Sequence, residues 1–227
     1  MADENGAVRE LSEDAASRKR FLKMVGGAGA VSAFSIFLAA CGEDEESESG
    51  ASGGSTTETQ SDMGSGGGGD LEIVQYALTL EHLETDFYNA VLDSGVIKDK
   101  ALGKVATMIR DNEQEHVDAL TATVKQLGGK PERPRTTFDA VIKGGEKKIL
   151  ETAAEVENLG AAAYLGQAGR IKSMDVLAAA LAIHTIEARH AAALNRVVGK
   201  TIVPDGAFAK PASMDEVLPK VKPFLAA

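Results

Sequence analysis

The 227-residue chain has one cysteine, Cys41, and no tryptophan. A single cysteine excludes a disulfide framework and any zinc site built on cysteines. Aromatic residues make up 4% of the chain, too few for the inner faces of a β-sandwich. Basic side chains are also short: 24 against 34 acidic ones, for a net charge of −10. The deficit is uneven. Residues 42–70 hold eight acids and no base, whereas residues 71–227 hold 19 basic and 21 acidic side chains. No basic face suited to nucleic acid is implied, and that partner class is excluded. The apolar run Met24–Ala40 falls short of the ~20 residues that a membrane-spanning helix needs.

The first forty residues read as an address. Ser17-Arg18-Lys19-Arg20-Phe21-Leu22-Lys23 resembles the twin-arginine export motif, with Lys19 in place of the second arginine of the pair. The general secretory route therefore stays open. The segment ends in Leu38-Ala39-Ala40-Cys41-Gly42, which resembles a bacterial lipobox. That resemblance implies lipidation of Cys41, with residues 1–40 as export signal, and a protein exported and anchored to the cell membrane. Residues 41–70 follow as an acidic linker; positions 42–70 contain nine glycines and six serines. Such a composition cannot bury enough apolar surface to offset its ordering entropy.

From residue 71 onward the pattern is helical, and alanine and leucine abound. Four long helices are predicted over 71–93, 99–127, 145–170 and 173–198, each stopped by glycine or a turn. A helical turn is expected at 138–143, and the tail 199–227 is expected to add a short helix near 214–218.

The apolar stripes contain residues foreign to an ordinary core. The second helix reads Val105, Ile109, Glu113, His116, Leu120, Leu127; the fourth reads Val176, Ala180, Ile183, Glu187, His190, Leu194, Val197. Both follow the spacing of a buried face, and both set Glu-x-x-His in its middle. On the first and third helices Glu81 and Glu157 each precede a tyrosine, Tyr88 and Tyr164, by seven residues, two turns along the same face. One hairpin thus occurs twice. From Glu81 to the turn at Gly95 is 14 residues, and from Asp99 to Glu113 is another 14, so each leg rises about 21 Å and the two glutamates return to one height. The second hairpin has matching legs. A lone Glu-x-x-His is usually a solvated surface pair; two of them at matched depth, each facing a Glu…Tyr helix, are not.

This constellation resembles the ferritin-like superfamily, in which two helices give one Glu each and two give Glu-x-x-His. The resemblance covers about residues 71–198. It implies an all-α, ferritin-like four-helix bundle of two antiparallel hairpins with a long crossover between the second and third helices. It implies Glu81, Glu113, His116, Glu157, Glu187 and His190 as metal ligands, with Tyr88 and Tyr164 close behind them. Two divalent ions would bring +4 against four carboxylates. Mixed carboxylate and imidazole donors suit iron or manganese, and zinc can also enter. Glu84 also lies near the first stripe, but its counterpart in the second hairpin is Gly160, so Glu84 is expected outside the layer. Glu115 is expected at the surface, Arg189 capping a carboxylate or facing solvent, His82 facing away, and His184 packed or partly exposed, with a place behind the ligands as its alternative.

The resemblance further implies reaction with dioxygen or peroxide, with a small inorganic oxidant as partner, as in ferroxidases, rubrerythrins and manganese catalases. Gly160, where rubrerythrin-like sites carry a further carboxylate, argues against a rubrerythrin-type peroxidase. A lipid-ended tether on every subunit disfavours a closed storage cage; a homodimer is compatible with the sequence. A non-catalytic structural or stress-protective bundle is the alternative.

Overall fold

The computed structural model describes residues 67–226. The proposed export signal, the lipidation site at Cys41 and most of the acidic linker lie outside the described residues. Within them are α1 (Gly67–Ser94), α2 (Lys100–Gln126), α3 (Asp139–Lys143), α4 (Gly145–Ala168), α5 (Met174–Val197) and α6 (Met214–Val221), then a 3-10 turn, Lys222–Phe224. No strand is present among the described residues, and an isolated antiparallel bridge joins Thr136 to Leu225. None of the described helices is long and apolar enough to cross a membrane.

Helices α1 and α2 form one antiparallel hairpin, and α4 and α5 form the other. Local chemistry sets their ends. The Asp99 carboxylate accepts from the N–H groups of Ala101 (2.7 Å) and Leu102 (2.9 Å), satisfying donors that α2 leaves open. The second and fourth long helices stop alike. Gly128 (φ 79°) and Gly199 (φ 75°) adopt the left-handed conformation that side chains resist. The next amides then close back: Gly129 N–H to Val124 C=O at 2.8 Å, and Lys200 N–H to Asn195 C=O at 2.8 Å.

α1 begins inside the stretch expected to be linker. Asp70, counted there as a tether charge, is instead buried at 4% exposure. Its carboxylate accepts from the N–H groups of Lys172 (2.9 Å) and Ser173 (2.8 Å), fastening α1 to the start of α5. The crossover from α2 to α4 carries α3 and is held to α1 by Asp86, which pairs with Arg133 and accepts from the Thr136 hydroxyl at 2.8 Å. The tail is part of the core. Val217 and Val221 are buried, and Phe224 stacks on Phe138 at 5.7 Å.

The apolar core falls into two parts, one around Phe87, Ile109, Ile149 and Leu194 and the other around Val74, Leu78, Leu120 and Val176. On α2 and α5 the chain passes from one part to the other across positions 113 and 187. The polar layer lies there.

Candidate metal centre

Each long helix contributes a glutamate that is fully buried: Glu81 from α1, Glu113 from α2, Glu157 from α4 and Glu187 from α5 are all at 0% exposure. One turn beyond Glu113 and Glu187, the Glu-x-x-His spacing brings His116 and His190 onto the same face. His116 Nδ1 lies 2.8 Å from Glu113, 3.2 Å from Glu81 and 3.3 Å from Glu187. His190 Nδ1 lies 2.9 Å from Glu113 and 3.2 Å from Glu157. Two groups of four result, Glu81, Glu113, His116, Glu187 and Glu113, Glu157, Glu187, His190, each with donor atoms within 4.8 Å of one another. Glu113 and Glu187 belong to both.

Each tyrosine, two turns along its helix from one glutamate, bonds to the glutamate of the other hairpin. Tyr88 of α1 donates to Glu157 Oε1 of α4, and Tyr164 of α4 donates to Glu81 Oε1 of α1. The two hairpins are thus clasped reciprocally, and each bond leaves Oε2 of its glutamate facing a histidine. Asn112, which the sequence did not single out, has its side-chain nitrogen 3.1 Å from Nε2 of His190 and fixes the outer edge of that ring.

Several buried atoms here have no hydrogen-bond partner: Glu113 Oε1, Glu157 Oε2, both Glu187 oxygens and His190 Nδ1. Glu113 Oε1 and His190 Nδ1 are close together yet not aligned to bond. Burial of charge without partners is strongly unfavourable, so the donor set calls for cations. Carboxylates with imidazole suit a divalent transition metal, and the residues fit a pair of them.

Protonation in the metal-free cluster follows from burial and charge. Burial raises the carboxyl of Glu187 well above its ordinary value and raises that of Glu157; it lifts Glu81 to about 7. Burial would raise Glu113 too, but His116 and His190 outweigh it and hold Glu113 at about 2. Burial would lower His190, but Glu113 and Glu157 raise it to about 9. His116 is raised in the same way by Glu81, Glu113 and Glu187.

Glu84, expected outside the layer, is in neither donor group, yet it is buried at 2% exposure with Oε2 unpartnered. The missing side chain at Gly160 makes the room: a Cβ there would stand 2.9 Å from Glu84 Oε1 and 3.0 Å from Glu187 Oε2. The glycine that seemed to exclude Glu84 is what admits it. Glu115 and Arg189 are exposed as expected. His184 is half-buried with Nδ1 3.0 Å from the Ala161 carbonyl, and His82, though buried, joins neither donor group.

A helical bundle whose centre holds four glutamates and two histidines from paired Glu-x-x-His helices defines the ferritin-like class of metal-site protein. The ferritin-like domain family matches residues 69–200, and the chain belongs to that family. No curated protein matches it.

Proposed function

We propose that this chain is a membrane-anchored, extracytoplasmic dinuclear metal protein that reacts with dioxygen or peroxide. The observation that carries the reading is the pair of four-donor groups sharing Glu113 and Glu187. Glu81 and His116 would hold one ion and Glu157 and His190 the other, with Glu113 and Glu187 common to both groups. Iron or manganese suits these donors, and zinc can enter. When bound, such a pair supplies electrons and a polarising charge for a small oxidant. The chain's own residues orient and shield the site. Tyr88 and Tyr164 each occupy one oxygen of a carboxylate and leave the other for metal. A narrow apolar pocket lined by Ile73, Leu80, Leu120, Tyr164, Val176 and Ala180 opens beside Tyr164, in keeping with a small oxidant.

In this reading Cys41 carries the lipid, the chain works outside the cytoplasm, and a homodimer is compatible with it. The test is metal analysis of the full-length protein and of Glu113→Ala, Glu187→Ala and Glu115→Ala, followed by peroxide and dioxygen consumption. Two ions per chain in the wild type and in Glu115→Ala are expected, with loss in the other two. Full occupancy in Glu113→Ala sinks the site. Two bound ions without oxidant consumption would favour the structural bundle.

A further inference from the structure

The dinuclear reading uses four carboxylates, yet a fifth is buried against them. Glu84 sits one turn beyond Glu81 on α1 and is as deeply enclosed as the ligands themselves. Its Oε2 has no hydrogen-bond partner. Its Oε1 and Glu187 Oε2 both pack against Gly160 of α4, where a Cβ would stand 2.9 and 3.0 Å from them. No lysine or arginine is paired with it among the described residues, whereas Asp86, two residues on, has Arg133. A carboxylate enclosed this way needs a cation or a proton. The cation available is the one its neighbour Glu187 would hold.

We propose that Glu84 is a fifth carboxylate donor of the metal pair, entering on the Gly160 side next to Glu187. This rests on the dinuclear reading and extends it. Five carboxylates with two neutral imidazoles exceed the charge of two divalent ions by one and balance a pair carrying +5. Glu84 therefore tightens binding and favours the more oxidised pair. Gly160 is the enabling partner, because any side chain there would occupy the path between Glu84 and Glu187.

The experiment measures Mn2+ affinity and stoichiometry for metal-free full-length wild type, Glu84→Gln, Glu84→Asp and Glu113→Ala, with unfolding curves of each without metal. Glu84→Gln keeps the shape and removes the charge; Glu84→Asp keeps the charge and withdraws the oxygens by one methylene. A direct donor predicts weaker binding in both, by at least the roughly 10-fold that loss of an outer partner costs. The unfolding curves without metal check that each variant is folded before its affinity is read. Wild-type affinity in Glu84→Gln overturns the proposal, as does wild-type affinity in Glu84→Asp alone, which would mean that Glu84 acts only through its field. Glu113→Ala separates the two levels. If it loses Mn2+ while both Glu84 variants bind normally, only the fifth donor is wrong. If it binds Mn2+ fully, the dinuclear centre itself is wrong.

Discussion

In the metal-free protein, protons take the place of cations around Glu113. Glu81 and His190 hold theirs more tightly folded than unfolded, with values raised from 4.5 to about 7 and from 6.5 to about 9. A raised value means stability that is complete below the unfolded pKa and lost as pH climbs through the folded one. Glu81 thus withdraws support between pH 4.5 and 7, and His190 between 6.5 and 9. Glu113, lowered to about 2, acts oppositely and only in acid, its contribution fading as pH falls from 4.5 towards 2. Chelator-treated protein should therefore unfold at progressively lower temperature from pH 5 to pH 9, and a flat profile would contradict this charge assignment. The tyrosines give a second expectation at this scale. Tyr88→Phe and Tyr164→Phe each deprive one buried glutamate of its donor, so each should weaken metal binding by roughly 10- to 100-fold. Because the two bonds are equivalent across the hairpins, the losses measured by titration should match. A large effect in one variant and none in the other would break that equivalence.

At the scale of the element, the bundle depends on contacts that tie helix ends to distant segments. Asp70 at the start of α1 satisfies two amides at the start of α5. Asp70→Ala leaves those amides without a partner and should cost about 1–3 kcal/mol, read from denaturant unfolding. Normal stability would show that water replaces the carboxylate freely. On α4, Gly166 faces the tail so closely that a Cβ would stand 1.9 Å from the Ala212 carbonyl oxygen. The Ala212 amide in turn donates to Ala162 C=O at 2.9 Å. Gly166→Ala should push the tail off α4 and cost about 1–3 kcal/mol. Faster proteolysis near residue 212 is the accompanying sign, and an unchanged digestion pattern would speak against it.

For the whole molecule, the proposed ligands come from all four long helices, so metal binding would be coupled to folding. Metal held at 100 times its dissociation constant should stabilise the folded chain by about 2.7 kcal/mol per independent site. Calorimetry with and without chelator measures this, and identical unfolding curves would contradict the coupling. At the other end of the chain, Cys41→Ser removes the thiol that a lipid would need. The variant should leave the membrane fraction; wild-type partitioning at unchanged size would point to an uncleaved apolar anchor instead.

Much of the fold and the six core site residues was legible in the sequence because helical periodicity is local. A glutamate and a histidine three apart in an apolar stripe must share a face, and equal leg lengths on both sides of a turn must bring two glutamates level. Those regularities determined the four long helices, their pairing and the layer containing Glu81, Glu113, His116, Glu157, Glu187 and His190. The rest depends on what stands opposite, which no periodicity encodes. That each tyrosine serves the other hairpin's glutamate, that Asp70 belongs to the bundle, and that the tail fills part of the core were set by packing between segments remote in sequence. Glu84 shows the reason most clearly. Its stripe position permitted burial, but only the missing side chain at Gly160, 76 residues away and on another helix, let its carboxylate come in beside Glu187.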